Sequence, residues 1–258
     1  MGACCRNGWA DAPEYAIVGE ADNDTLQGED GADILLGGDG DDSLVGGTGN
    51  DALFGGAGND TLIADNDTDD DSLYRGMGND YLDAGRGTSG HLEGGDGADT
   101  LMVGNDHTAT TILGGEGGTD SDTILVRNFG GGTGGANITF SGGEAGSGTF
   151  GTGTISFSQI EVVDGSSGDD AIDASLSTAN QTRIGNAGND RLTGGSSNDS
   201  LSGGVGDDSI VGGAGDDSFD GGAANDLLFG GAGADDFING AGNDTVHGGA
   251  ATTTLLAG

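Results

Sequence analysis

The chain has 258 residues, of which 60 are glycine and one is proline, and 44 Asp and Glu stand against 6 Lys and Arg, a formal charge of −38. That balance excludes nucleic acid as a partner, because phosphate binding needs clustered Lys and Arg to release counterions. It also disfavours an anionic membrane surface. Cations are the complement such a chain calls for, unless it is an acidic disordered polymer, and periodicity decides between the two.

The first segment, 1–17, carries no repeat and holds both cysteines, Cys4 and Cys5. Adjacent cysteines are strained as a bridge, so no disulfide framework is expected. The segment lacks the basic region and apolar core of a secretory leader. Arg6 stands where acylation of Gly2 would call for Ser or Thr. No run of 18 apolar residues exists, so no transmembrane helix and no direct membrane insertion are expected.

From Val18 the chain breaks into nines: VGEADNDTL, QGEDGADIL, LGGDGDDSL, VGGTGNDAL, FGGAGNDTL. This first array, 18–125, degenerates after Leu62, where units of ten and eleven residues intervene. Through 126–183 the period is lost, and NITF, TISF and IEVV read as short strands between Gly- and Ser-rich turns in an irregular β-rich insertion. Within it, GDDAIDAS resembles a relic of one unit. The second array, 184–258, resumes with IGNAGNDRL, TGGSSNDSL, SGGVGDDSI and VGGAGDDSF and continues to HGGAATTTL.

Numbered from its first glycine, the unit is G-G-x-G-x-D-x-U-x, where U is large and apolar. The glycines permit positive φ in a tight turn. The x-U-x triplet makes a short strand with U on one face and its neighbours on the other. One core row is therefore Leu26, Leu35, Leu44, Leu53 and Leu62, and a second is Leu192, Leu201, Ile210, Phe219, Leu228, Phe237 and Val246. Two units make a coil of eighteen residues with two facing parallel sheets. One apolar residue in nine is a thin core for a glycine-rich backbone that loses much entropy on ordering, so something further must stabilise each turn.

The aspartates supply it. Residues eighteen apart stack one strand spacing, about 4.8 Å, from each other, and two bare carboxylates there repel by roughly 0.9 kcal/mol even in water. Numerous anionic oxygen ligands in flexible loops describe a calcium site, with magnesium the weaker fit because it demands octahedral geometry and keeps its waters. Zinc is disfavoured: the repeats hold no Cys, and His91, His107 and His247 are scattered.

GGAGNDTL and GGAGDDSF resemble the repeats-in-toxin (RTX) nonapeptide, the hemolysin-type calcium-binding repeat, over about 18–125 and 184–255. The resemblance implies an all-β fold, a right-handed parallel β-roll. In it, one loop gives the carbonyls of its second and fourth positions and its Asp, and the loop eighteen residues on gives those of its first and third positions and its Asp. In the first array this implies Glu29, Gly31 and Asp33 with Gly46, Thr48 and Asp51, and Gly38, Gly40 and Asp42 with Gly55, Ala57 and Asp60. In the second it implies Asn186, Gly188 and Asp190 with Gly203, Val205 and Asp208, and Gly195, Ser197 and Asp199 with Gly212, Ala214 and Asp217. Gly204, Gly206 and Asp208 then go with Gly221, Ala223 and Asp226, and Gly213, Gly215 and Asp217 with Gly230, Ala232 and Asp235. The last set is Gly222, Ala224 and Asp226 with Asn239, Ala241 and Asp244. With the Asp24/Asp42 pair, whose first loop has Glu20 and Asp22 in place of glycines, about eight ions are expected, lowering −38 to about −22. Thr252 replaces the final Asp, so the last coil is expected to bind none.

The resemblance also implies a secreted, extracellular protein exported through type I secretion machinery and folding outside in calcium. In that family the secretion segment follows the repeats. Here they run almost to Gly258, so the reading expects a missing signal, a fragment of a larger protein or another export route. No H-E-x-x-H and no serine flanked by glycines at −2 and +2 is present, so no enzyme is expected. One alternative is the non-catalytic portion of a larger RTX enzyme, and the other is an extracellular adhesion or polysaccharide-binding module. The latter rests on an outward apolar stripe, with Leu36, Phe54 and Tyr74 on one sheet and Val45 and Ile63 on the other.

Overall fold

The computed structural model describes residues 4–6, 16–65, 68–86, 89–104, 109–115, 121–127, 134–249 and 254–256. Every regular element in them is a β-strand, and no helix long and apolar enough to cross a membrane occurs among them. His107 and Thr252 lie outside the described residues, as do the side chains of Cys4 and Cys5. The chain forms two compact units, Met1–Ile124 with Thr152–Ile160, and Leu125–Gly151 with Glu161–Gly258.

In the first unit, successive nonapeptides serve two parallel sheets alternately. One sheet runs Thr25–Asp30, Ser43–Thr48, Thr61–Ile63, Tyr81–Asp83, Thr100–Gly104. Its register stacks Leu26, Leu44, Leu62, Leu82 and Leu101 in one row. The other sheet runs Ala16–Ala21, Ile34–Asp39, Ala52–Ala57, Asp71–Met77, Ser89–Asp96, Ala109–Leu113, Gly153–Ser158. It aligns Ile17, Leu35, Leu53, Leu73, Leu92, Ile112 and Phe157. The leucines of both rows are fully buried, each worth about 2 kcal/mol of apolar burial. Strand alternation turns the last residue of each unit outward. There Phe54 and Tyr74 stack with ring centroids 5.0 Å apart, and His91 tilts against Tyr74 at 5.2 Å.

The second unit repeats the plan. Val162–Asp164, Thr182–Ala187, Ser200–Val205, Ser218–Ala223, Asp236–Ile238 and Thr254–Leu256 form one parallel row. The other is Ala136–Gly142, Ala171–Asp173, Arg191–Thr193, Ser209–Ala214, Leu227–Ala232, Thr245–His247. The NITF segment belongs to an antiparallel hairpin, Ala136–Gly142 with Ala145–Phe150, which buries Phe140 and Phe150. GDDAIDAS supplies a strand in line with the repeats. In the core row Phe219 stacks on Phe237 at 4.4 Å. Val246, expected in that row, is only half-buried at the end of its sheet, where fewer neighbours cover it.

Candidate metal centre

The loops that join strands across the two sheets carry the aspartates. In the loop Gly37–Asp42, Gly38 and Gly40 hold φ of +117° and +131°, a region side chains enter only at a cost. A Cβ on Gly38 would lie 2.1 Å from the Glu20 carbonyl oxygen, and one on Gly40 2.6 Å from that of Asp22. The second- and fourth-position carbonyls of one loop thus face the same positions of the loop one coil on. Gly47 and Gly49 face the carbonyls of Glu29 and Gly31 in the same way, and Gly204 and Gly206 those of Asn186 and Gly188. The first loop keeps this form although Glu20 and Asp22 replace glycine, with φ of 80° and 77°.

First-position carbonyls point the opposite way. A Cβ on Gly37 would meet Asp42 Oδ2 at 2.3 Å and the Gly55 oxygen at 2.6 Å. The same convergence of an Asp carboxylate with the first carbonyl of the next coil recurs at all eight inferred pairs. Gly46 O meets Asp33, Gly203 O meets Asp190, Gly212 O meets Asp199, Gly221 O meets Asp208, Gly230 O meets Asp217 and Asn239 O meets Asp226. A Cβ on Gly19 would lie 2.6 Å from both Asp24 Oδ2 and Gly37 O. Third-position carbonyls are already engaged on one side: Ala57 O accepts the Gly40 N–H at 2.7 Å and Ala223 O the Gly206 N–H at 2.9 Å.

The aspartates stack into ladders along the repeats. Each backbone N–H donates to Oδ1 of the aspartate one coil later, as Asp24 to Asp42, Asp42 to Asp60 and Asp208 to Asp226 at 2.8 to 3.0 Å. The second oxygen, Oδ2, is buried without a hydrogen-bond donor at Asp33, Asp42, Asp60, Asp80, Asp190, Asp208, Asp217, Asp226 and Asp235. A buried carboxylate oxygen left so is costly unless a cation meets it. Asp199 differs: Ser197 replaces the loop glycine, and Asp199 Oδ2 accepts the Gly195 N–H at 2.7 Å. Among the described residues no three His, Cys, Asp or Glu side chains cluster as a metal site. The donor set is carboxylate plus backbone carbonyl, the hard oxygen set of calcium.

Two features escape the nine-residue count. The ladder continues where unit lengths change: Asp51 donates to Asp71, Asp60 to Asp80, Asp80 to Asp99, Asp99 to Asp122 and Asp170 to Asp190, over 19 to 23 residues. A second, exposed ladder runs in the reverse sense at the fifth position, where Asn59 N–H donates to Asp41 Oδ1 and Asn225 N–H to Asp207 Oδ1, both at 2.8 Å. Its signal in the sequence is the recurrent Asn or Asp just before the ladder aspartate.

A family model described as the RTX calcium-binding nonapeptide repeat (4 copies) matches residues 16–44, 36–70, 67–89, 91–107, 184–219, 202–237, 211–246 and 220–255, more than half of the chain. The chain belongs to this family. Its fold is the stacked parallel β-roll of RTX repeats, and calcium binding is the property these repeats bring. No curated protein matches the chain.

Burial raises the carboxyl pKa along the RTX ladder, to about 7 at Asp190 and about 6 at Asp208 and Asp217, with neighbouring aspartates adding to the rise. The folded, metal-free coils therefore hold more protons than the unfolded chain between about pH 4 and pH 7. Raised pKa values contribute stability that is present at acid pH and lost as pH rises through 6 to 7. Calcium needs the ionised carboxylates, so protons compete with it. For coils that are folded before calcium binds, the expected outcome is a weaker apparent calcium affinity at pH 5.5 than at pH 7.5. Such coils should release protons on binding near pH 6, read by calorimetry in two buffers of different ionisation enthalpy, whereas a chain that folds only on binding starts with ionised carboxylates and should release almost none.

Proposed function

We propose that this chain is a calcium-triggered folding module of a secreted protein, with calcium as its structural ligand and no catalytic role. The observation that carries the reading is the buried row of Oδ2 oxygens without donors, which between regular loops converge with a first-position carbonyl from the next coil, as at Asp42, Asp190, Asp208 and Asp217. A cation bound there supplies the positive charge that lets stacked carboxylates approach, and its binding free energy becomes folding free energy. The ligand sets follow the eight pairs from Asp24/Asp42 to Asp226/Asp244, one ion to each. In each set the earlier loop gives its second and fourth carbonyls and the later loop its first and third, with an Asp from both. Secretion, by a type I route, rests on the family alone.

Far-UV circular dichroism during a calcium titration, with magnesium as control, tests this. A cooperative gain of β signal driven by calcium alone is the expected result. A chain that is folded in chelator, or indifferent to calcium, overturns the reading. The second reading, an adhesion or polysaccharide-binding module, is favoured by one observation, the outward stack of Phe54, Tyr74 and His91. Glycan binding by the calcium-loaded chain that is lost in Tyr74→Ala would support it.

A further inference from the structure

One unit of the first array breaks the pattern with a charge. Arg75 stands at the first position of the unit that ends its loop at Asp80, where regular units have glycine. At that position a side chain must enter the cation cradle. A Cβ on Gly37, Gly55 or Gly94 would lie 2.3 to 2.4 Å from Oδ2 of the aspartate of its own loop. Arg75 does enter. Its side chain and that of Asp80 are both fully buried, with Nη1 3.8 Å from Asp80 Oδ1. None of its three guanidinium nitrogens has a hydrogen-bond partner, and the Oδ2 atoms of Asp60 and Asp80 have none either.

The metal donors are incomplete at the same place. Beside Gly55 the three nearest atoms to a built Cβ all belong to Asp60, the farthest at 3.0 Å, so no carbonyl of the Arg75 loop comes as close as Gly55 O does beside Gly37, at 2.6 Å. The coil here spans 20 residues instead of 18. Calcium needs several oxygens at set distances, whereas a guanidinium offers five donors on a flexible stem and keeps its charge in most settings. Burial lowers the Arg75 pKa to about 8, and Asp99 and then Asp60 are the charges that hold it up.

We propose that Arg75 is a built-in cation that takes the place of calcium in the aspartate ladder around Asp60, Asp80 and Asp99, where the chain neutralises its own carboxylates. This rests on the calcium reading of the regular loops. The second unit holds a related arrangement at a break in its ladder. Gln181 stands at the ladder position and Arg183 occupies the core row, fully buried, its guanidinium 4.0 Å from the centre of the Phe140 ring and donating to Gln181 Oε1. There the protein already satisfies Asp199, through the Gln181 and Gly195 N–H groups.

Crystals of the calcium-loaded full chain, measured for calcium anomalous scattering, decide the matter. The expected result is ion peaks between regular loops such as those of Asp42 and Asp60, with the guanidinium and no ion among Asp60, Asp80 and Asp99. A calcium peak there with Arg75 displaced overturns the inference, while peaks nowhere in the chain overturn the calcium reading beneath it. In solution, equilibrium dialysis counts the ions. Arg75→Gly, which restores the repeat glycine, should bind at least one more calcium than the wild type. Arg75→Met, which fills the space without charge, should bind no more and should need several-fold more calcium to fold. Equal counts and equal calcium midpoints in all three proteins would overturn the assignment.

Discussion

Gly206→Val is expected to abolish calcium-driven folding of the second array in far-UV circular dichroism, with a loss of more than about 3 kcal/mol. Gly206 holds φ of +136°, and a Cβ there would stand 1.8 Å from the Gly188 carbonyl oxygen and 2.6 Å from its carbon. Both atoms are backbone one coil away, fixed by the Gly188 N–H bond to Val205 O at 2.9 Å. A flexible side chain could yield, but this contact cannot. A β-branched residue at positive φ adds its own strain. Ala224, at the same loop position one coil on, shows the limit of tolerance: it holds φ of 94°, so the loop has turned to admit one methyl. Gly206→Ala should therefore cost less, about 1–3 kcal/mol. A valine variant with an unchanged urea midpoint at saturating calcium would contradict the loop geometry.

Asp208→Ala is the second large effect. Asp208 belongs to two neighbouring pairs, 190/208 and 208/226, so its loss is expected to remove two calcium ions from the stoichiometry. It also takes away the acceptor of the buried Asp190 N–H, a hydrogen bond of 2.7 Å, which costs about 1–3 kcal/mol whether or not metal is present. Asp208→Asn separates these terms. The amide oxygen keeps an acceptor for Asp190 but carries no charge, so calcium affinity should fall while the urea midpoint at saturating calcium stays above that of Asp208→Ala. The Asp208 pKa, pushed up to about 6 by burial and by Asp226 and Asp207, marks the bare carboxylate as unfavourable in the fold unless a cation meets it. Asp244→Asn, which touches one pair at the end of the ladder, should lose a single ion. Dialysis counts and urea midpoints at saturating calcium check all three variants. If alanine and asparagine at 208 have the same urea midpoint at saturating calcium, the hydrogen-bonding role of Oδ1 is wrong.

Much of the molecule was legible because eighteen residues make one coil, and a fixed loop length turns sequence spacing into spatial stacking. The buried rows of Leu26 to Leu62 and Leu192 to Phe237, and the ladder from Asp190 to Asp244, follow from counting alone. Where loop lengths vary, counting loses the register. Leu53 still pairs with Leu73 across 20 residues and Leu73 with Leu92 across 19, because parallel strands align by burying one apolar residue each. Asp71, Asp80, Asp99 and Asp122 stay in the ladder as well. The fifth-position ladder was hidden for another reason: its residue alternates between Asn and Asp, which differ in charge but share the accepting oxygen.

By itself, then, the sequence determined the repeat, the strand and loop alternation, the apolar rows and the choice of a hard cation, all of which depend on residue type at a constant interval. Only the tertiary structure decided which carbonyl faces which carboxylate, that the hairpin 136–150 packs Phe140 against Arg183, and that Arg75 lies buried beside Asp80. Those depend on the direction of backbone oxygens and on contacts across a coil, and neither is set by a residue's identity or by its distance along the chain.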